Sequence, residues 1–588
     1  MCGIIGYVGK QEAAPILFDS LKKLEYRGYD SFGFATSGNG LLSIDIEKNP
    51  GKISESSGFL RLKGNVGLGH TRWATHGGVT RENAHPHADC KNQIVLVHNG
   101  IVENYQALKK ELMERGHHFR SQTDTETIAH IIEENMESGF ENAVKKAVER
   151  IEGRYGIVAM EKGSDELVAV RRGSPLIIGV GKDENFVASD IPAFLDRTRN
   201  VMYLDDNEMA VIRRNGIKFY SLQNGKEIHK RIVTIEWEAE QAKKGDYPHF
   251  MIKEIMEQKE TITRAINQDE KEIQNIANEI NRAFGTFFIG CGTAGKVCLT
   301  GEYIFSKVAK KHVNFCFGSE FPNYHHFLKP STLMITISQS GETADVLEAV
   351  EVAKKEGVKV ISLVNVMGST LDRVSDHTFL INAGPEKAVA STKATTSQLA
   401  LVTLLAYASA GKLEEGKRLL MDTASEVNDM LNPRYEEHIK GLADKICRCE
   451  NIYIIGRALN YPMALESAIK IQEVSRIHAE GFAGGEMKHG PLALIHNGTP
   501  CIALIANDEV KKDVISNAME AKARGAYIIG ISPENNEIFD YWIKVPDAGN
   551  ASPIVNIIPV QILAYHLALL RGCDPDYPKN LAKSVTVK

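Results

Sequence analysis

At 588 residues, with 43% hydrophobic and 24% charged side chains, the chain has an ordinary globular composition and is too long for one core, so three to five domains are expected. A formal net charge of −6 without a basic cluster argues against nucleic-acid or membrane binding. The nine cysteines include no C-x-x-C pair, Cys447 and Cys449 forming only C-x-C, which suits the reduced thiols of a cytoplasmic protein and predicts no metal site.

The chain opens Met1-Cys2-Gly3-Ile4-Ile5-Gly6-Tyr7. Removal of Met1 would leave a thiol and a free α-amine on one residue. An amine of pKa about 7.7–8.0 can take the thiol proton near neutrality, so Cys2 would be nucleophile and base together. Lys10, Glu12, Asp19, Lys22 and Lys23 interrupt the start, and no secretory leader is expected. Helical periodicity follows at 13–24, 105–115 and 125–136, and alternating strands at 94–97, 156–160, 166–170 and 176–180. The polar stretch 238–245 reads as a linker into one long helix from Phe250 to about Arg282.

Beyond it the rhythm becomes strand, turn, helix. Strands are expected at 287–290, 333–337, 359–364 and 377–381, then again at 452–456, 500–505, 527–531 and 541–545. This predicts two α/β layers with parallel sheets and an internal duplication. The apolar run 554–570, interrupted by Asn556, Pro559, Gln561 and His566, reads as a buried core helix rather than a membrane span.

The first copy carries Ser338-Gln339-Ser340-Gly341-Glu342-Thr343 after a strand and before a helix, where amides and hydroxyls suit a phosphate. An ordinary N-cap turn would look the same. The matching turn of the second copy, Ala506-Asn507-Asp508-Glu509, is acidic and would repel an anion. Gly290-Cys291-Gly292-Thr293-Ala294-Gly295 also fits a dinucleotide fingerprint, but that scheme gives the hydroxyl turn no role. Lys470 and Glu473 share one face of a helix at 464–474, either as a surface ion pair or as reactive groups. A glycine-rich loop around Lys488 and His489 is expected at 481–491.

Together MCGIIGYVG, LEYRGYDS, GHTRWATHG, AHPH, VHNGIVEN, TDTE, CGTA, SQSGETAD, VASTKA, EMKHGPLA and NLAKSVTV resemble the glutamine–fructose-6-phosphate amidotransferase family over essentially the whole chain. The resemblance implies an N-terminal-nucleophile αββα glutaminase sandwich over 1–238 and a linker over 239–250. Two doubly wound sugar isomerase domains over 251–430 and 431–573 and an active-site tail over 574–588 would follow. The implied reaction is glutamine-dependent amination and isomerisation of fructose 6-phosphate to glucosamine 6-phosphate and glutamate, the first step of amino-sugar biosynthesis.

By the same resemblance, Cys2 attacks the glutamine amide, Asn99 and the Gly100 amide form the oxyanion hole, and Arg72 and Asp124 hold the glutamine carboxylate and ammonium. Thr75 and His76 line that pocket, and Trp73 resembles the gate of an ammonia channel. Ser338, Gln339, Ser340 and Thr343 would hold the sugar phosphate, with Thr293, Val389 and Ser391 on the sugar. His489 would open the ring from the neighbouring subunit of a homodimer, Lys583 would form an imine at C2, and Glu473, beside Lys470, would move the proton between C1 and C2. No cofactor or metal is implied. Ala294 and the following Gly295-Lys296-Val297 depart from the family pattern, as do Lys259 and Lys579, which bears on sugar specificity. A paralogue acting on another sugar phosphate and a non-enzymatic sugar-phosphate sensor are the rival readings.

Overall fold

The computed structural model describes residues 2–38, 43–56, 62–235 and 244–586. Its contacts divide the chain into two compact units. One holds the residues before Lys244 together with those from Ala582 onward, and the other is Lys244–Leu581. The boundary falls within the expected linker, of which 239–243 lie outside the described residues.

In the first unit, Gly3–Val8 is buried at all six positions and lies inside an eight-stranded sheet, antiparallel to Val66–Arg72 on one side and Asn185–Ala188 on the other. Gly6 permits the close approach of its neighbours, since a Cβ there would stand 2.7 Å from both Leu167 and Val187 side chains. A seven-stranded antiparallel sheet holds Ile94–Gly100, Tyr155–Glu161 and Glu166–Arg172. Inward residues of both sheets, among them Ile4, Val8, Leu68, Val95, Val97 and Val158, share one core. The helix Ala13–Leu24 covers the first sheet, burying Ala13, Leu17, Leu21 and Leu24 along one stripe. Tyr105–Glu114, Glu126–Glu134 and Phe140–Arg150 cover the second. This is the expected αββα sandwich.

The second unit contains two five-stranded parallel sheets. Spatial order in the first is Asn314–Phe317, Gly285–Gly290, Thr332–Ser338, Lys359–Val364, His377–Leu380. The second runs His478–Ala483, Asn451–Gly456, Pro500–Leu504, Tyr527–Ser532, Tyr541–Lys544. In both, the second strand in sequence lies outside the first, the doubly wound order, so the duplication is topological as well as sequential. Ser552–Leu570 packs centrally between elements of both halves and is buried from Ser552 to Ala568. By length and composition it could cross a membrane, but 89% of its apolar window is buried inside the protein.

Two expectations are corrected. The single helix from Phe250 is three: Phe250–Met256, Gln258–Ile266 and Glu270–Arg282. Asn267 leaves helical geometry and Asp269 accepts the Lys271 N–H at 2.8 Å, starting a new helix. The loop expected from Gly481 begins inside the edge strand His478–Ala483, where Gly481 lies against the Ala464 backbone, and only then turns into Gly484–His489.

The segment before the end of the chain is anchored chemically. The carboxylate of Asp576 accepts the N–H groups of Phe250 and Met251, both at 2.8 Å, capping the first helix of this unit from more than 300 residues away. Asp576→Ala should therefore lower the stability of this unit by about 1–2 kcal/mol, the usual loss for a cap. Urea denaturation checks this; an unchanged midpoint would show that the cap contributes nothing.

Candidate active sites

The first site is assembled where Gly3–Val8 begins. Cys2 is at the strand entrance, and its sulfur accepts the Trp73 N–H at 3.3 Å, from the residue following Val66–Arg72. Burial pushes the Cys2 thiol up, and the Trp73 hydrogen bond and the Arg72 charge oppose that shift. Asn99, near the end of Ile94–Gly100, donates from Nδ2 to the Cys2 carbonyl at 2.9 Å. Its Oδ1 meets His70 Nε2 at 3.1 Å, and the same nitrogen lies 3.2 Å from the His98 carbonyl. An imidazole thus fixes which way the Asn99 amide faces. Gly100 has φ +132°, and a Cβ there would stand 2.0 Å from the Arg154 carbonyl, so only glycine fits.

Arg72 donates to the carbonyls of His76, Gly77 and Gly78 at 2.5, 3.1 and 3.1 Å, ordering the loop that carries Thr75 and His76. His76 Nδ1 lies 3.4 Å from the Thr75 hydroxyl. Asp124 accepts the Val102 N–H at 2.8 Å, which places it beside the strand end bearing Asn99 and Gly100. The residues expected to bind glutamine therefore converge on one end of the sandwich. His70 was not anticipated. Nothing in GHTRWATHG separates it from an ordinary buried strand residue.

The second site lies in the other unit, at the carboxyl end of Thr332–Ser338. Ser338 Oγ accepts the Gly341 N–H at 3.0 Å and Ser340 Oγ the Glu342 N–H at 3.2 Å, a tight turn leading into Ala344–Lys355. Gly341 has φ +66°, and a Cβ would lie 2.1 Å from Ser369 Oγ. Thr343 occupies the N-cap position without a side-chain capping bond. Gln339 accepts the Asn365 N–H through its carbonyl at 3.2 Å. The glycines of the dinucleotide-like run have packing reasons instead: a Cβ at Gly290 would strike the Ala294 backbone at 2.9 Å, and one at Gly295 the Phe317 ring at 2.8 Å.

Lys470 and Glu473 are an ion pair of 2.6 Å on the helix Tyr461–Ser475, but not a surface one. Lys470 is fully buried, and Glu473 keeps 24% of its side chain exposed. A second carboxylate that sequence reasoning missed, Glu466, is fully buried 3.5 Å from Lys470 and accepts the Thr293 hydroxyl at 2.9 Å. Its place one turn before Lys470 was the available signal. Burial alone would lower the Lys470 pKa; Glu473 and Glu466 reverse that and hold the ammonium above its usual value, while burial pushes the Glu466 carboxyl up.

Thr293 is thereby joined to Lys470 and Glu473 between the helices Gly292–Ile304 and Tyr461–Ser475. Ser391 donates to Glu386 at 3.1 Å, whose other oxygen caps Thr392 and Ala394 N–H groups. Val389 is buried and donates its N–H to the Asp576 carbonyl. His489 is exposed at the end of Gly484–His489. Lys583 falls in the segment assigned to the first unit, so it is not grouped with Glu473.

Comparison with known proteins defines the class first. A SIS domain matches at 280–408 and 445–571, on the two parallel sheets, and a Glutamine amidotransferase domain matches at 70–196. Relatives named glutamine–fructose-6-phosphate aminotransferase [isomerizing] match over the full length of both chains, at 44% identity in Thermococcus kodakarensis and 45% in Pyrococcus horikoshii. The solved C-terminal domain of glucosamine-fructose-6-phosphate aminotransferase from Francisella tularensis covers 57% of this chain and 99% of its own, at 32% identity and a TM-score of 0.53. The chain belongs to the glutamine–fructose-6-phosphate aminotransferase (isomerizing) family.

The first site makes a pH-dependent demand on its unit. His70, His85, His87 and His98 are buried, and burial lowers the pKa of each, that of His70 to about 3. An unfolded imidazole titrates near about 6.5, so below that pH the unfolded chain binds more protons than the folded one. The stability contributed by neutral burial is complete above about pH 6.5 and is lost as pH falls toward the folded values. Urea midpoints for the amino-terminal unit, followed by the protection of Cys2 against alkylation, should drop between about pH 7.5 and 5. A flat profile would contradict neutral burial of these rings.

Proposed function

We propose that the chain transfers the amide nitrogen of glutamine to fructose 6-phosphate and isomerises the product to glucosamine 6-phosphate, releasing glutamate. The observation that carries the reading is the Cys2 sulfur. It sits at the entrance of an inner strand, hydrogen-bonded by the Trp73 amide and flanked by an Asn99 amide oriented by His70.

With Met1 removed, the Cys2 amine takes the thiol proton and the thiolate attacks the glutamine side-chain carbonyl. One Asn99 N–H engages the Cys2 carbonyl at 2.9 Å; the second, with the Gly100 N–H, would donate to the developing oxyanion. The ammonium of Cys2 returns its proton to the leaving nitrogen, giving ammonia and a thioester that water cleaves to glutamate. Arg72, with Asp124, Thr75 and His76, holds the amino-acid end of glutamine. Trp73 would gate the channel that carries ammonia away from bulk water, which would protonate it.

At the sugar site the phosphate is held by Ser338, Gln339, Ser340 and Thr343 at the start of a twelve-residue helix, whose N-terminal amides favour an anion. Thr293, Val389 and Ser391 contact the sugar. His489, exposed in the single chain, acts on the ring of the neighbouring subunit in a homodimer. Lys583 condenses with C2, losing water, and ammonia displaces the lysine. Glu473 then takes a proton from C1 and returns it to C2. Buried Lys470 holds Glu473 in place through their 2.6 Å ion pair, and Glu473 keeps 24% of its side chain exposed, which leaves it room to meet a substrate. The nine free thiols agree with a cytoplasmic setting.

A different ketose phosphate is the second reading. Lys296, at a departure from the family pattern, has its ammonium 5.0 Å from the Phe317 ring and within the field of Glu466 and Glu473. Product analysis across several ketose phosphates decides between them; no turnover of fructose 6-phosphate would remove the primary reading.

Cys2→Ala should abolish glutamate release while isomerisation of the sugar phosphate persists, since the two reactions use different residues. Loss of both would argue against separable sites. Lys583→Arg, which keeps the charge but cannot form an imine, should stop amino-sugar synthesis and leave glutamine hydrolysis running. Continued synthesis would overturn the imine.

A further inference from the structure

Away from both sites, four side chains from three separate segments point at one another. Cys90 follows the short strand His87–Ala88, His117 lies in the loop after Tyr105–Glu114, and His130 and Glu133 share one face of Glu126–Glu134. Cys90 Sγ is 3.6 Å from Nδ1 of His117 and 3.6 Å from Nδ1 of His130. Those two nitrogens lie 3.2 and 3.4 Å from one oxygen, Glu133 Oε2. All four donor atoms fall within 4.8 Å of one another.

We propose that Cys90, His117, His130 and Glu133 form a structural zinc site. Zinc bonds of about 2.3 Å to sulfur, 2.0–2.1 Å to nitrogen and 2.0–2.2 Å to oxygen give tetrahedral edges of roughly 3.5 Å for S···N and 3.4 Å for N···O. The four measured separations fall at those lengths. Hydrogen bonding alone satisfies the cluster poorly. Each Nδ1 can carry at most one hydrogen, yet each faces both the sulfur and the carboxylate oxygen. A central cation meets all four atoms at once, and one thiolate plus one carboxylate cancels its double charge.

The surroundings match those of metal ligands. The second nitrogen of each ring has a carboxylate nearby: His117 Nε2 is 3.5 Å from Glu134 Oε1, and His130 Nε2 is 3.7 Å from Glu126 Oε1. The sulfur accepts the His118 N–H at 3.5 Å, and Glu133 Oε2 accepts the Cys90 N–H at 3.2 Å. His130 is 1% exposed and its ring nitrogen is directed into the cluster. Sulfur with two imidazoles disfavours magnesium and calcium. Four protein ligands leave no open position, so the site braces structure rather than activating water. What it braces is the second half of Glu126–Glu134, the helix that follows Asp124, and the turn leading into the strand that ends at Asn99 and Gly100.

The full-length protein, purified without chelator, should contain about one zinc per chain. Stripping it should lower the melting temperature, and zinc alone should restore it. Replacement by cobalt(II) should give the visible bands of a tetrahedral ion and a near-ultraviolet thiolate-to-cobalt band, both absent in Cys90→Ser and in His130→Gln. Because either variant could fail to fold, the wild type supplies a second readout. Zinc should slow alkylation of Cys90, read by peptide mass spectrometry, while Cys447 keeps its rate. Zinc-independent alkylation of Cys90, an octahedral cobalt spectrum, or a thiolate band that survives Cys90→Ser would overturn the proposal.

Discussion

A nucleophile on the first residues of a chain, the role proposed for Cys2, faces a physical difficulty: termini fray, and catalysis needs position to within a fraction of an ångström. Here the difficulty is met by strand pairing. Gly3–Val8 is hydrogen-bonded on both sides within its sheet, and six consecutive buried residues hold it there. The sulfur of Cys2 then meets a backbone N–H from the neighbouring strand's end rather than a mobile side chain. Asn99 is aligned by His70, and His70 in turn stacks on His85 at 4.1 Å between centroids. The geometry of the reaction centre is inherited from the sandwich core.

The sugar site solves a different problem with the same economy of means. Glu473, the carboxylate proposed to accept and return a proton, needs a fixed position. Buried Lys470 fixes the position of Glu473 at 2.6 Å, and Glu466, one turn earlier, joins the helix Tyr461–Ser475 to Thr293 at the start of the helix Gly292–Ile304. Removing one member of such a buried set leaves an uncompensated charge and typically destabilises by about 3–5 kcal/mol. The arrangement therefore serves the stability of the second unit as well as its chemistry. At the matching turn of the duplicated half, Asn507 donates to Glu534 and Asp547, and Lys511 pairs with Glu534, so acidic groups occupy the place where the first copy is proposed to hold a phosphate.

Periodicity made much of this visible beforehand. The helix Ala13–Leu24 has the limits its apolar stripe implies, and four of the five strands in each parallel sheet lie at the apolar runs that precede turns, while the edge strands Asn314–Phe317 and His478–Ala483 were not expected. Sequence failed where local signals compete. Continuous helical patterning from Phe250 hid the interruption at Asn267, because apolar spacing resumes in phase after Asp269. Gly481 concealed an edge strand, since glycine reads as a turn unless the Ala464 backbone that it approaches is known. Spacing revealed Lys470 with Glu473 but not the burial that makes the pair unusual. His70 and the donor set around Cys90 were illegible, because neither has a local pattern and both exist only through tertiary contact.

The central claim is that a processed amino terminus, its thiol and amine on one residue, opens the glutamine amide. Intact mass spectrometry of the purified, active protein before and after an electrophilic glutamine analogue tests it most directly. The account predicts a chain lacking Met1 that gains a single label, on Cys2, in step with loss of glutamate release. Glutamate release by protein that retains Met1, or inactivation with the label on another residue, would contradict it.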